Sequence, residues 1–194
     1  MNSAVFLDRD GVINRKAASE SDYITRWEEM EILPGVERAI ALLNRAGFLV
    51  IVATNQRGVA KGLLTIAQLE CIHQRMCEHL ADAGARIHEI YYCPHELDPP
   101  CNCRKPKAGM LFEAARVHDI DLTSSWMIGD SEKDVEAGKR AGCKTARVVA
   151  NGNTGRSEAA LVASSLFEVT ARILQISQSL TRSNGHGNLR EANS

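Results

Sequence analysis

Short, uninterrupted apolar runs that stop abruptly at clusters of polar residues constrain this chain more than any other feature. Ala4-Val5-Phe6-Leu7 ends at Asp8-Arg9-Asp10-Gly11, Phe48-Leu49-Val50-Ile51-Val52 leads into Thr54-Asn55-Gln56-Arg57-Gly58, and Trp126-Met127-Ile128 ends at Gly129-Asp130. Runs of this length without polar alternation read as strands buried on both faces, as in a parallel sheet covered by helices. The intervening segments carry helical spacing. Pro34-Gly35 opens a helix in which Val36, Ala39, Ile40 and Leu43 recur, and Gly47 ends it. Thr65 with Gln68 is a capping-box pattern ahead of Leu69, Ile72, Met76 and Leu80, closed near Gly84. Ile87–Tyr92 predicts a third strand. A loop rich in Cys and Pro follows, then a helix over Gly109–His118. Ser131 caps a helix running to Gly142, and Lys144–Val149 predicts a fifth strand. Ser165 with Glu168 is a second capping-box pattern, before a last helix ending near Leu180. This alternation predicts an α/β fold, a Rossmann-like doubly wound parallel sheet with right-handed crossovers. Val12–Leu33 is an irregular polar connection, and no internal repeat is present.

A chain of 194 residues fits one domain, expected over residues 1–180 and large enough to bury a core. Thr181–Ser194 has almost no large apolar residue and is expected to be a disordered tail. A net charge of -1 leaves no basic footprint, which argues against general nucleic-acid binding. The apolar runs are too short to span a bilayer, so no membrane partner is expected. Met1-Asn2-Ser3 lacks the charged and apolar regions of a signal peptide, so a cytoplasmic location is expected. In a reducing compartment, the six cysteines suggest metal binding wherever they cluster.

Ligands of open α/β sheets bind beyond the carboxyl ends of the strands. Four polar sites are expected at that edge: Asp8 with Asp10, Thr54-Asn55, Arg104-Lys105, and Asp130 with Asp134. Taken alone, Asp-x-Asp-Gly also suits a polar turn closing a hairpin, and Gly129-Asp130-Ser131 suits a capped strand-to-helix turn. Together, three carboxylates near one point repel unless a cation neutralises them. Mg²⁺ suits such oxygen ligands plus a substrate phosphate. A hydroxyl, an amide and a lysine beside it are what a phosphoryl oxygen needs.

A second constellation is Cys93-Pro94-His95 with Cys101-Asn102-Cys103. A Cys₃His set suits tetrahedral Zn²⁺ with no open position, hence a structural ion. The spacing is not the common Cys-x-x-Cys, and free thiols beside a loop histidine are the plain alternative. The last of these residues precedes Arg104-Lys105, so a metal here would also aim those two cations. Other residues get simpler readings. Cys71 and Cys77 do not share a helix face, and His73 with Cys77 supplies only two donors. Cys143, Trp126 and Met127 are expected in the core, and His79, His88 and His118 on the surface.

Asp8-x-Asp10-Gly11-Val12-Ile13-Asn14, Thr54-Asn55-Gln56, Lys105-Pro106 and Gly129-Asp130-x-x-x-Asp134 resemble, in order and each after a strand, the four motifs of haloacid dehalogenase superfamily phosphatases. The resemblance implies a fold of that type without a large cap domain, since Val12–Leu33 is short, and with a zinc-stapled loop. It implies that Asp8 is the nucleophile, forming an aspartyl-phosphate, and that Asp10 protonates the leaving oxygen and then activates water. Thr54 would bind phosphoryl oxygens and Lys105 would stabilise charge. Asp8, the Asp10 backbone carbonyl and Asp130 would hold Mg²⁺, with Asp134 orienting them. Cys-x-His…Cys-x-Cys-Arg-Lys-Pro is similar to the zinc-containing group acting on D-glycero-D-manno-heptose 1,7-bisphosphate or on histidinol phosphate. Thr54-Asn55-Gln56-x-Gly58-Val59-Ala60-x-Gly62 is similar to its heptose branch, which implies hydrolysis of the 7-phosphate on the way to nucleotide-activated heptose for surface polysaccharide. Thr54, Asn55, Gln56, Arg57, Arg104 and Lys105 would then bind a small phosphorylated metabolite. Arg57, where heptose enzymes often carry a serine, and Ser131, where some members carry a lysine, depart from the pattern. Histidinol phosphate is the alternative substrate. A non-catalytic zinc-loop scaffold is the alternative of another class, against which Asp8, Asp10, Lys105 and Asp130 all stand. A monomer is expected.

Overall fold

The computed structural model describes residues 1–17, 23–149 and 156–185. Six parallel strands form one sheet: β1 (Ala4–Leu7), β2 (Leu49–Asn55), β3 (Glu89–Cys93), β4 (Trp126–Gly129), β5 (Lys144–Val148) and β6 (Leu161–Ala163), in the order β3-β2-β1-β4-β5-β6. The helices are α1 (Val36–Arg45), α2 (Ile66–Asp82), α3 (Gly109–His118), α4 (Glu132–Ala141) and α5 (Leu166–Gly185). β1 lies in the middle, with Phe6 beside Ile51 of β2 on one side and Met127 of β4 on the other. All four of its residues are fully buried, which explains the absence of any polar side chain within it.

Alternate residues along the strands enter two different cores. Val5, Leu7, Val50, Val52 and Ile128 pack with Ile40 and Leu43 of α1, Leu69, Met76 and Leu80 of α2, and Val169 and Ile173 of α5. Ala4, Phe6, Ile51, Ala53 and Met127 pack on the other face with Met110, Leu111 and Ala114 of α3, and with Ala141 and Cys143 at the end of α4. Each large side chain so buried contributes roughly 1.5–3 kcal/mol. α2 starts where expected: Gln68 N–H donates to Thr65 Oγ1 at 3.2 Å, and Thr65 N–H donates back to Gln68 Oε1 at 2.8 Å.

Several boundaries differ from the sequence expectations. β2 runs through Asn55, carrying the strand to the polar tip itself. β3 begins at Glu89 rather than Ile87; it is an edge strand and only Cys93 is buried, so its apolar signature is weak. The sequence reading missed β6, whose three residues are too few to show a period. Glu168 N–H donates to Ser165 Oγ as expected, but the Glu168 carboxylate accepts from Ser164 N–H at 3.0 Å, one residue earlier. α5 continues to Gly185, and residues 186–194 of the expected tail lie outside the described residues. Among the described residues, the β1–α1 connection carries the 3₁₀ turn Trp27–Glu29 and the isolated bridges Asp10–Asn14 and Asn14–Ile32. Trp126, Met127 and Cys143 are buried, as expected. His79 is exposed. His88 and His118 are half-buried instead, and His88 Nδ1 accepts the Val50 N–H at 3.0 Å.

Candidate active site and thiol cluster

The strand order reverses between β1 and β4, which makes the gap beyond their carboxyl ends the topological switch point of the sheet. Asp8 and Asp130 stand on either side of that gap, and the Asp8 N–H donates to Ile128 O at 2.9 Å. One carboxylate oxygen from each of Asp8, Asp130 and Asp134 lies within 4.8 Å of the others. Lys105 reaches into this group from the β3–α3 loop, pairing with Asp8 at 2.9 Å and Asp134 at 2.6 Å while only 2% exposed. Asp134 is fully committed to protein partners, since its other oxygen accepts from Ser131 N–H at 3.1 Å and Ser131 Oγ–H at 2.6 Å. Gly11 adopts φ +90°, and a Cβ there would run into the Asp130 carboxylate. Only glycine fits both constraints.

The electrostatics show an anionic pocket short of positive charge. Burial, reinforced by Asp134 and Asp10, pushes the Asp8 carboxyl up to about 7 even though Lys105 opposes it. Burial also raises Asp130, against the pull of a Lys16 ion pair. Burial likewise disfavours the charged forms of Asp134 and Lys105, but their attraction prevails: Asp134 sits below the usual carboxylate range and Lys105 above the usual lysine range. Three clustered carboxylates with oxygen donors only are the chemistry of a hard divalent cation such as Mg²⁺.

Asp10 belongs to a neighbouring network. Its carboxylate accepts from Arg9 Nη2 at 2.9 Å, Asn14 Nδ2 at 2.9 Å and Gln56 Nε2 at 2.9 Å. Despite burial, these donors hold it below its ordinary range. Gln56 also donates to Thr54 Oγ1 at 3.0 Å, which joins the β2 tip to the β1 tip. Asn55 grips the Lys105 backbone at both ends, its Nδ2 donating to Lys105 O and its Oδ1 accepting Lys105 N–H, each at 3.1 Å. The other two candidate cations point elsewhere: Arg57 pairs with Glu96, and Arg104 Nη1 lies 3.5 Å from His95 O. Sequence reasoning missed Lys16, and it missed the engagement of Arg9 with Asp10 and His73; spacing alone carries no signal for either.

Cys93, His95, Cys101 and Cys103 converge. Cys93 Sγ is 3.5 Å from Cys101 Sγ, Cys103 Sγ is 3.4 Å from Cys101 Sγ, and His95 Nδ1 is 3.2 Å from Cys103 Sγ. These thiols are free, since a disulfide needs about 2.05 Å. A tetrahedral ion with bonds of about 2.3 Å would separate its donors by roughly 3.7 Å, close to what is found, so the set fits a closed site for a soft metal. A Cβ at Gly109 would strike the Asn102 carbonyl, so the loop lies directly against the start of α3.

A parallel α/β sheet with an acidic cluster and a buried lysine at its switch point defines a haloacid dehalogenase-type hydrolase of phosphoric monoesters. A family model described as HAD-hydrolase-like matches residues 102–174. The chain is 40% identical over 178 residues to the D-glycero-beta-D-manno-heptose-1,7-bisphosphate 7-phosphatase of Pseudomonas aeruginosa, covering 89% of this chain and 98% of the relative. The Pseudomonas putida enzyme of that name is 43% identical over 157 residues, covering 81% and 86%. A crystal structure of D,D-heptose 1,7-bisphosphate phosphatase from B. bronchiseptica, complexed with magnesium and phosphate, superposes with a TM-score of 0.82 at 38% identity, covering 90% of this chain and 99% of that one. The chain belongs to the heptose-1,7-bisphosphate 7-phosphatase family.

Proposed function

We propose that this protein hydrolyses the 7-phosphate of D-glycero-D-manno-heptose 1,7-bisphosphate in two steps, with Asp8 as the nucleophile. The observation that carries this reading is the gathering of Asp8, Asp130 and Asp134 around the buried Lys105 at the β1–β4 switch point, in a chain aligned with 98% of the Pseudomonas aeruginosa heptose phosphatase. Mg²⁺ held by Asp8, the Asp10 backbone carbonyl and Asp130 would offset the negative charge of the cluster and of the transferring phosphoryl group. Asp8 attacks phosphorus, the bond to the sugar oxygen breaks, and Asp10, ionised in the free site, takes up a proton with the arriving phosphate and delivers it to that oxygen. Asp10 then takes a proton from the water that hydrolyses the aspartyl-phosphate. Splitting the displacement replaces one very slow step by two easier ones.

Thr54, Asn55 and Gln56 serve the phosphoryl group and the placement of Lys105, whose ammonium balances charge on Asp8 and the phosphate. Asp134 keeps Lys105 oriented. Arg57 and Arg104, on the thiol-loop side, suit the remote phosphate, with Arg57 exchanging Glu96 for it. Cys93, His95, Cys101 and Cys103 would hold a structural Zn²⁺. The same reading has a monomer acting on a small sugar phosphate in the cytoplasm. The test is turnover by the full chain with Mg²⁺ on the heptose bisphosphate and on histidinol phosphate. Preference for the former and complete loss in Asp8→Asn are expected. Preference for histidinol phosphate would overturn the substrate, and unchanged turnover in Asp8→Asn would overturn the mechanism.

A further inference from the structure

Arg9 lies between the two aspartates of the β1 tip, yet its guanidinium is buried, with 1% of the side chain exposed. A buried guanidinium needs acceptors for its donors, and it can accept nothing in return. Nε and Nη2 are spent on Asp10, at 3.3 Å and 3.0 Å to Oδ1 and 2.9 Å to Oδ2. Nη1 finds its acceptor on a different element: Nε2 of His73, at 3.1 Å. His73 sits on the inner face of α2 and is 5% exposed. Its ring meets Tyr92 edge-on at 5.7 Å, and Tyr92 Oη–H donates to Glu70 at 2.9 Å. Because Arg9 can only donate, Nε2 must carry the lone pair, so the imidazole is neutral with its proton on Nδ1. The ring is therefore fixed in plane and in tautomer, and it holds the far side of the guanidinium while the near side holds Asp10.

We propose that Arg9 and His73 form the positioning device for Asp10, with His73 supplying the acceptor that fixes the guanidinium against the carboxylate. This rests on the reading of Asp10 as the group that exchanges protons with the leaving oxygen and the water. Neither residue touches the reacting atoms. A carboxylate that must reach a leaving oxygen at one moment and a water at the next cannot be allowed to rotate freely, and misplacement by about 1 Å can cost about 10²-fold in rate. Asn14 and Gln56 each supply one further donor, but among the described residues only the guanidinium spans both oxygens of Asp10.

The test compares kcat/KM for the heptose bisphosphate, whose alkoxide leaving group needs a proton, with kcat/KM for p-nitrophenyl phosphate, whose phenolate does not. That ratio covers only the steps through loss of the leaving group. In the full-length, Mg²⁺-supplied enzyme, His73→Leu is expected to lower the sugar-phosphate value by about tenfold or more and the aryl-phosphate value by less than about threefold. His73→Gln, whose Oε1 can accept from Arg9, is expected to stay within about threefold of the wild type on both. Equal losses on the two substrates in His73→Leu, or no loss, or a Gln variant as impaired as Leu, would overturn the proposal. Asp10→Asn is run alongside. If it shows the leaving-group bias and His73→Leu does not, only the positioning role fails; if Asp10→Asn shows no bias, the reading of Asp10 fails and the positioning role with it.

Discussion

Asp8 is buried beside Asp134 and Asp10, and one lysine does not cancel the cost of its charge. This has a direct thermodynamic consequence. A carboxyl with a folded pKa of about 7 and an unfolded value of 3.8 is protonated only in the folded chain between those pH values. Stability therefore falls as pH rises through that window, and the full penalty is present above it. In Asp8→Asn the same shape carries no charge, so the variant should be the more stable protein at pH 8 without added Mg²⁺. The advantage should be on the order of a few kcal/mol, and it should shrink towards pH 4. Thermal unfolding of both proteins across that range checks it; a variant less stable than the wild type at pH 8 would contradict an uncompensated charge on Asp8. His73 is a separate case, because burial and then Arg9 push it down to about 3. Its contribution rises with pH between about 3 and 6.5 in both proteins, and so it cancels from the difference. At this scale the sequence was informative for residues at strand tips, because a charged side chain directly after an apolar run has few places to go. It was silent on His73, since helical spacing says that a residue faces inward but not what it meets there.

The loop between β3 and α3 does more than fill space. Cys93 is in register with Asn55 across β2 and β3, and the Gln56 N–H donates to Cys93 O at 2.8 Å. Cys103 lies two residues before Lys105, and Lys107 Nζ donates to Cys101 O at 2.5 Å. Order in the thiol cluster is thus passed to Lys105 from one side, while Asn55 clamps the same backbone from the other. On the proposed structural zinc, Cys101→Ser should lower bound metal well below about one per chain and reduce the unfolding temperature. It should also cut kcat by about tenfold or more, the scale typical of losing an orienting partner. Metal analysis and steady-state kinetics on one preparation would show this, and full activity without zinc would separate the loop from the chemistry. The cluster was legible because soft donors are rare and these fall within one short stretch. β6 and the start of β3 were not, because edge strands share their burial with solvent and lose the uninterrupted apolar signature on which the other strands were recognised.

Across the whole molecule, the parallel α/β architecture followed from the alternation of apolar runs with helical periods. The order of the strands did not, because no local pattern records which strand lies next to which. That order has a consequence in time. Asp8 and Asp130 come from strands at residues 4–7 and 126–129, so they face each other only when β1 and β4 pair. That pairing closes the longest chain loop of any strand contact in the sheet, whereas β4–β5 and β5–β6 join near neighbours. Long loops carry the larger entropy of closure and form late. After dilution from denaturant, ellipticity should return before phosphate release does, and catalytic power then becomes a stopwatch for the moment at which the two halves of the chain find one another.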